Sequence, residues 1–168
     1  MCPDLSPDGY FDYYRPPGSD ALGLVRVQAS ASDITGIAFV ASTDAPARPN
    51  ALTERAREQL ADYFAGARRD FDLPLSATGT DFQQRVWAAL ATIPFGETRN
   101  YAEIAEQLRC KGGQRAVGAA NARNPLAIVV PCHRVIGSDG RLTGYAGGLG
   151  RKQWLLAHEA GEIPLVLS

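Results

Sequence analysis

The chain has 168 residues, 45% of them hydrophobic and 21% charged, and a formal net charge of −1. This composition fits one compact domain or two small lobes that share a core, and no apolar run approaches the roughly 20 residues that a membrane helix needs. The acidic N-terminus lacks the features of a secretory signal, and three irregularly spaced cysteines argue against a disulfide framework. We therefore expect a cytoplasmic protein with no membrane partner.

The first half of the chain predicts a small sheet followed by one helix. Three β-rich segments are separated by turn-forming clusters, and they comprise Tyr10–Tyr14, Leu22–Val27 and Ile34–Val40. Apolar residues then recur at helical spacing between Ala51 and Ala65. No Cys/His cluster with the spacing of metal ligands occurs here, because both histidines lie in the second half. We assign residues 1–76 to a scaffold domain without a metal.

The second half, residues 77–168, predicts a mostly helical domain. Thr80 and Gln83 form a capping-box pattern at the start of a helix. That helix must end near Ile93, because a proline follows directly.

Two further short helices are joined by a turn that contains glycine. The first begins after the N-cap residue Asn100, and the second covers Gln114–Ala122, beyond the turn Cys110–Gly113. This is the layout of a helix-turn-helix, although any tight pair of helices has the same pattern. The elements together predict an α+β fold, in which a small N-terminal lobe of sheet and helix packs on a mostly helical C-terminal lobe.

The second helix of this pair is poor in long side chains. Gly118 and Ala119 lie in its middle, and Arg115 lies near its start. A helix of small residues can approach a surface closely, including the narrow minor groove of DNA. Small residues also allow close packing against a neighbouring helix, and the sequence alone leaves both interpretations open.

Charge is distributed unevenly along the chain. Residues 1–76 carry 7 basic and 11 acidic residues, a balance of −4, whereas residues 77–168 carry 10 and 7, a balance of +3. Between Arg99 and Lys152 there are 9 basic and 3 acidic residues, a balance of +6. A basic segment in a near-neutral protein indicates a surface for a polyanion, although an ordinary arginine-rich surface gives the same balance.

A cysteine and a histidine are neighbours in the segment that follows. The apolar run Leu126–Val130 predicts a buried strand, and Pro131 turns the chain at Cys132. Residues 135–142 predict a hairpin with an Asp-Gly tip. A thiolate is a good nucleophile, and histidine is the side chain most readily recruited as a base near neutral pH. Cys132 and His133 are therefore the candidate reactive pair.

The last predicted helix, Arg151–Ala160, carries an acidic residue in an unfavourable place. Glu159 shares a face with Leu155 and Leu156, and it lies in the last turn, where the helix dipole disfavours a negative charge. A frayed helix end in water explains this position, and so does a functional role. The glycine-dense loop 143–150 before the helix lacks the pattern of a phosphate-binding loop.

Three motifs resemble those of the O6-alkylguanine-DNA alkyltransferases, also called methylated-DNA–protein-cysteine methyltransferases. The motifs are Gly79–Trp87 (GTDFQQRVW), Pro131–Val135 (PCHRV) and Thr143–Gly148 (TGYAGG). The likeness covers roughly Gly79 to Gly161, about half of the chain, and PCHRV is its most specific part. The first half lacks the zinc ligands of some relatives, and the regulatory domain of the adaptive-response members is absent. The chain therefore resembles the short bacterial form.

The resemblance implies catalytic roles for five residues of this chain. Cys132 is the implied alkyl acceptor, and His133 is its implied base, acting through a bridging water and oriented by Glu159. Asn124 matches the asparagine that ties the active-site segment to the helix-turn-helix. Tyr101 matches the tyrosine that assists at guanine N3 and the flanking phosphate.

The resemblance also implies residues that contact DNA and the target base. The implied DNA-binding residues are Arg115, Gly118, Ala119 and Tyr101, and the implied pocket residues are Val135, Tyr145 and Ala146. Arg115 matches the arginine that enters the DNA stack in place of an extruded nucleotide. Ala146 offers only its backbone N–H near guanine O6, where some relatives have a serine.

The implied activity is DNA repair by a protein that reacts once, without a cofactor or a metal. O6-alkylguanine is flipped out of double-stranded DNA by a monomer, and its alkyl group moves irreversibly to Cys132, with O4-alkylthymine as a second candidate lesion. One alternative is a cysteine hydrolase, but such enzymes usually take the cysteine and histidine from distant segments. Another is a non-enzymatic sensor like the alkyltransferase-like proteins, which replace the cysteine that this chain retains.

Overall fold

The computed structural model describes residues 9–17, 19–43, 45–142, 145 and 148–162. The chain divides into two compact units, and the division falls between Thr78 and Gly79. The predicted α+β fold class is confirmed, because the first unit contains an antiparallel sheet and the second is mostly helical. In the described part of the chain, no helix is long and apolar enough to cross a membrane.

The first unit is a three-stranded antiparallel sheet with two helices. The strands pair in the order β1-β2-β3, and the elements are β1 (Tyr10–Tyr14), α1 (Ser19–Leu22), β2 (Leu24–Ala29), β3 (Ile34–Val40) and α2 (Ala51–Phe64). The second strand begins later than predicted, because Leu22 ends α1 and Gly23 adopts a positive φ of 74° that turns the chain into β2. The other predicted strands and the helix are confirmed.

The second unit contains four helices and one short parallel strand pair in its described part. Its elements are α3 (Asp81–Leu90), β4 (Arg99–Asn100), α4 (Tyr101–Gln107), α5 (Gln114–Ala122), a 3-10 helical turn (Cys132–Arg134), β5 (Val135–Ile136) and α6 (Leu149–Glu159). The capping box predicted at Thr80 and the N-cap predicted at Asn100 are both present, and Asn100 also forms a capping box with Glu103. They fix where both helices begin.

The helices α4 and α5 form the predicted helix-turn-helix. The buried indole N–H of Trp87 in α3 donates a hydrogen bond of 2.9 Å to the carbonyl of Ala120 in α5. On α4, the ring of Tyr101 lies over Gly118 of α5, since a Cβ built on that glycine would lie 3.8 Å from the ring. Both contacts hold α5 against the rest of the unit.

The segment that was predicted as a strand at Leu126–Val130 is instead a series of tight turns, so this prediction is wrong. The Asn124 side chain closes the segment, because its amide donates to the Val130 carbonyl at 2.8 Å and its oxygen accepts from the Leu126 N–H at 3.0 Å. Such side-chain bonds compete with the pairing of strands. Ile128 is buried and has a positive φ of 71°, which is strained for a β-branched residue. The apolar run therefore reflects the burial of its side chains and does not form a strand.

The predicted hairpin over residues 135–142 is also corrected in part. The turn with Asp139-Gly140 is present, and the Gly137 N–H donates across it to the Arg141 carbonyl at 2.8 Å. However, β5 pairs in parallel with β4, with Arg99 opposite Val135. This pairing places the start of α4, and therefore Tyr101, beside the strand that leaves the Cys-His turn.

Candidate active site

Cys132 lies in a buried 3-10 helical turn, and its residue is only 5% exposed. The turn forms because Pro131 ends the preceding segment and its carbonyl accepts a hydrogen bond of 3.0 Å from the Arg134 N–H. Cys132, His133 and Arg134 are consecutive on this turn, and all three are buried. The tight turn lets neighbouring residues present their side chains to different partners.

His133 contacts Glu159 from the last turn of α6. Its Nε2 lies 2.7 Å from the Glu159 Oε2, and both side chains are almost completely buried. Burial lowers the pKa of His133, and this outweighs the opposing effect of the nearby carboxylate. A neutral imidazole that faces an ionised carboxylate carries its proton on Nε2, because a carboxylate only accepts hydrogen bonds. The other nitrogen, Nδ1, is then unprotonated, and it has no hydrogen-bond partner among the described residues.

Glu159 is held by the neighbouring Arg134 as well. The guanidinium donates from Nε to Oε1 at 2.7 Å and from Nη2 to Oε2 at 3.0 Å. Burial raises the pKa of Glu159, but the hydrogen bonds from His133 and Arg134 and the charge of Arg134 outweigh it and hold that pKa well below its usual range. Glu159 is therefore an anion. The acidic residue that looked misplaced on α6 is buried between two partners, and the frayed helix end is excluded.

The groups around the Cys132 thiol shift its pKa in opposite directions. Burial raises its pKa, whereas the neighbouring Asn124 side chain, the charge of Lys152 and the neighbouring Tyr145 hydroxyl lower it. The Tyr145 hydroxyl is buried beside the thiol, and burial together with that thiol raises the pKa of the phenol well above its usual range. At neutral pH the resting sulfur is therefore mostly a thiol, and it needs a base to become a nucleophile.

Lys152 is a fully buried cation that the sequence analysis did not single out. It lies seven positions before Glu159 on α6, so both face the Cys132–Arg134 turn from the buried side of that helix. Burial lowers the pKa of Lys152 to about 8, and Cys132 opposes that effect when it is ionised. The sequence indicated the burial of Lys152 only through its position on the apolar face of the helix. Lys152 was counted instead as part of a basic surface segment.

Two asparagines connect this turn to the helix-turn-helix. Asn124 follows α5 and binds the Val130 carbonyl, as described above. Asn121, a residue of α5 that the sequence analysis missed, is buried and donates to the Cys132 carbonyl at 3.3 Å. The backbone of the cysteine is thus tied directly to α5.

The remaining predicted residues fall into two groups. Arg115 and Ala119 are exposed on α5, and the half-buried Gly118 contacts Tyr101. Val135 is fully buried and follows the Cys-His turn. Ala146 lies outside the described residues, so its predicted role in the pocket is not addressed by the structure.

The basic segment Arg99–Lys152 is less charged at the surface than its sequence suggests. Arg134 and Lys152 are both buried. Removing these two from the 9 basic residues leaves 7 against the 3 acidic ones, so the balance falls from +6 to +4. The surface of this segment is still basic, and two of its nine basic residues lie in the buried candidate active site instead.

Similarity to known proteins identifies the family. The family model described as 6-O-methylguanine DNA methyltransferase, DNA binding domain, matches residues 81–161. The methylated-DNA–protein-cysteine methyltransferase of Mycolicibacterium paratuberculosis is 51% identical over 153 residues, which are 88% of this chain and 92% of that protein. The protein of the same name from Mycobacterium tuberculosis is 48% identical over the same shares of both chains.

A solved structure agrees with these relatives. The crystal structure of Mycobacterium tuberculosis OGT in complex with DNA matches with a TM-score of 0.81 and 45% identity, over 92% of this chain and 94% of that one. The chain therefore belongs to the methylated-DNA–protein-cysteine methyltransferases, and the enzyme class predicted from its sequence is confirmed.

The buried Lys152 predicts a pH-dependent effect of its replacement by methionine. Because folding lowers the pKa of Lys152 from 10.5 to about 8, the unfolded chain binds more protons between those pH values, and this group disfavours folding most below pH 8. The free energy of unfolding of Lys152→Met minus that of the parent should therefore fall by about 2 kcal/mol between pH 7.5 and 10. Urea unfolding at both pH values measures this difference, with the exposed Lys111→Met as control. A difference for Lys152→Met that is the same at both pH values would contradict the prediction.

Proposed function

We propose that the protein repairs alkylated DNA by transferring the alkyl group from guanine O6 to its own Cys132, once per molecule. The observation that carries this proposal is the buried arrangement of Cys132, His133 and Glu159, in a chain of the methyltransferase family. The arrangement supplies a soft nucleophile, a neutral base and a carboxylate that orients the base. It binds no cofactor in this proposal, because the acceptor is a side chain.

The proposed reaction begins with removal of the thiol proton. Nδ1 of His133 is the unprotonated nitrogen, and a water molecule between it and Cys132 relays the proton. The thiolate attacks the alkyl carbon in line, so that an S–C bond forms while the C–O6 bond breaks. The electron pair stays on guanine, and the proton lost by the thiol ends on the guanine ring. The product thioether has no bond that water breaks readily, which makes the reaction single-turnover.

Several residues around the sulfur assist this reaction in the proposal. Asn124 and Lys152 favour the thiolate, since both lower the pKa of Cys132. Tyr145 and Val135 form part of the wall of a pocket for the target base, and Ala146 adds a backbone donor near O6. Tyr101 assists the leaving group at guanine N3, because donors aimed at developing charge stabilise the transition state.

We propose double-stranded DNA as the partner of the helix-turn-helix. Supporting this, the relative from Mycobacterium tuberculosis was solved in complex with DNA. The exposed side of α5 presents Arg115, Ala119 and Ala122, so only small side chains follow the arginine along that surface. Such a surface suits close approach to the minor groove. The target base must leave the stack, which costs a few kcal/mol, and Arg115 takes its place in the proposal.

The proposed substrate is O6-alkylguanine in a duplex, with O4-alkylthymine as a second candidate, and the proposed acting unit is a monomer. A hydrolase is less consistent with the site, because such enzymes usually take the cysteine and the histidine from distant segments, whereas Cys132 and His133 are neighbours. A non-enzymatic sensor is disfavoured by the retained Cys132.

The proposal predicts methyl transfer to one residue. Incubation with a duplex that contains O6-methylguanine should add one methyl group per protein molecule, and peptide mass mapping should place it on Cys132. Cys132→Ala should abolish transfer and still bind the duplex, because the thiol is buried and not part of the DNA surface. Methylation of another residue, or turnover beyond one equivalent, would overturn the proposal.

The stacking role of Arg115 predicts a substrate-dependent defect. Arg115→Ala should slow transfer from duplex DNA roughly tenfold or more, because only the duplex requires base extrusion. Its reaction with a free O6-alkylguanine base should be almost unchanged. Arg123→Ala, which removes an exposed arginine just after α5, controls for the lost positive charge. Equal losses of Arg115→Ala on both substrates would rule out the stacking role.

A further inference from the structure

Arg134 is a buried cation that takes part in no step of the proposed reaction. Its side chain is 7% exposed, and its three donor nitrogens are all used. Two of them bind the two oxygens of Glu159, and Nη1 donates to the Ile93 carbonyl at 2.6 Å. The guanidinium carbon also lies 5.8 Å from the centre of the Phe95 ring. A planar group that is held on all these sides has little freedom to turn.

We propose that Arg134 is a positioning residue for the alkyl transfer, which keeps Glu159 ionised and aligned so that His133 remains a neutral base toward Cys132. This inference rests on the proposed function and deepens it. Arg134 does not touch the reacting atoms in this account, and it acts through Glu159 and His133.

Glu159 lies in an unfavourable position for an ionised carboxylate. This carboxylate is buried in the last turn of α6, where both burial and the helix dipole disfavour its negative charge. Besides His133, its partners include the bidentate Arg134 and a longer hydrogen bond of 3.4 Å from the Gly96 N–H. Arg134 is a full positive charge in that set, and a bidentate arginine–carboxylate pair also fixes the carboxylate plane.

The second step concerns the charge on His133. The charged groups that face it are Glu159 and Lys152 from α6 and Arg134 from its own turn, and Cys132 is its neighbour. With Arg134 and Glu159 paired, a neutral His133 leaves these three side chains without net charge, beside the cation Lys152. Protonation of His133 would add an uncompensated buried charge. Without Arg134, a protonated His133 becomes the natural partner of Glu159, and the pair retains a proton to a higher pH.

Removal of the Arg134 cation should raise the pKa of His133. The charge of Arg134 lowers the pKa of His133, so its replacement by a neutral side chain raises that pKa. A protonated His133 cannot accept the thiol proton. The acid limb of the transfer rate should therefore move to higher pH, whereas a loss of packing alone would lower the rate equally at all pH values.

The test uses Arg134→Gln, which is neutral and still able to donate to Glu159. Single-turnover rates of methyl transfer from O6-methylguanine DNA between pH 5.5 and 9 should show the acid limb at a higher pH than in the parent, hence a loss that grows from pH 8 toward pH 5.5. Arg134→Lys restores the cation and should restore most of the parent profile. Arg15→Met removes an exposed arginine outside the basic segment Arg99–Lys152 and should leave the profile unchanged. A uniform loss at all pH values in Arg134→Gln would overturn the proposal.

A second measurement separates this inference from the proposed function. The chain has two histidines, so 1H–15N NMR can follow the titration of His133 in the absence of any substrate. In the parent, His133 should titrate below its ordinary pKa, and in Arg134→Gln it should titrate higher. If Arg134→Gln does not fold, the parent titration alone decides, because an ordinary or raised pKa of His133 would overturn the inference. Absence of methyl transfer by a parent with the expected titration would instead reject the proposed function.

Discussion

The Glu159 carboxylate is the group on which the rest of the active site depends. Its oxygens accept hydrogen bonds from the imidazole of His133 and the guanidinium of Arg134. Arg134 also donates to the Ile93 carbonyl just beyond α3. One buried anion therefore joins the Cys-His turn, the end of α6 and the loop after α3. Removing it would leave a buried guanidinium without its charge partner, which is costly in a protein interior. The same contact sets which imidazole nitrogen is free to act as a base.

Burial gives this site a resting state that differs from its reactive state. The nearly inaccessible Cys132 has a raised thiol pKa, so the resting protein does not hold a permanent thiolate. Asn124, Tyr145 and Lys152 lie around the sulfur and lower the pKa of the thiol, so they favour the anion once the base accepts the proton. In the proposed reaction, the thiolate forms only when a neutral His133 accepts the thiol proton.

The sequence predicted the local features of the second unit well, because they depend on neighbouring residues. The capping boxes at Thr80 and Asn100 and the glycine-containing turn between α4 and α5 are short-range patterns, and the structure contains them. The misplaced Glu159 was visible because the helix dipole and helix periodicity are local rules. The resemblance then supplied candidate roles that the residues alone did not.

The failures of the sequence analysis have a common cause in long-range contacts. The partner of Arg134 lies 25 positions away in the sequence, and nothing near Arg134 shows that it is buried rather than part of a basic surface. Lys152 was counted as surface charge for the same reason. The run Leu126–Val130 was assigned as a strand because its burial was evident, whereas the closing hydrogen bonds of Asn124 were not. Apolar periodicity reports burial, and the choice between strand and turn was made by one polar side chain.

The position of the ring proton of His133 follows directly from its contact with Glu159. Glu159 is ionised and accepts from Nε2 of His133, so the unprotonated nitrogen of the resting protein is Nδ1. The 15N chemical shifts of 15N-histidine-labelled protein at pH 7.5 report which ring nitrogen carries the proton. The account predicts a protonated Nε2 and an unprotonated Nδ1 for His133. A proton on Nδ1, whether in the other neutral form or in an imidazolium, would contradict it.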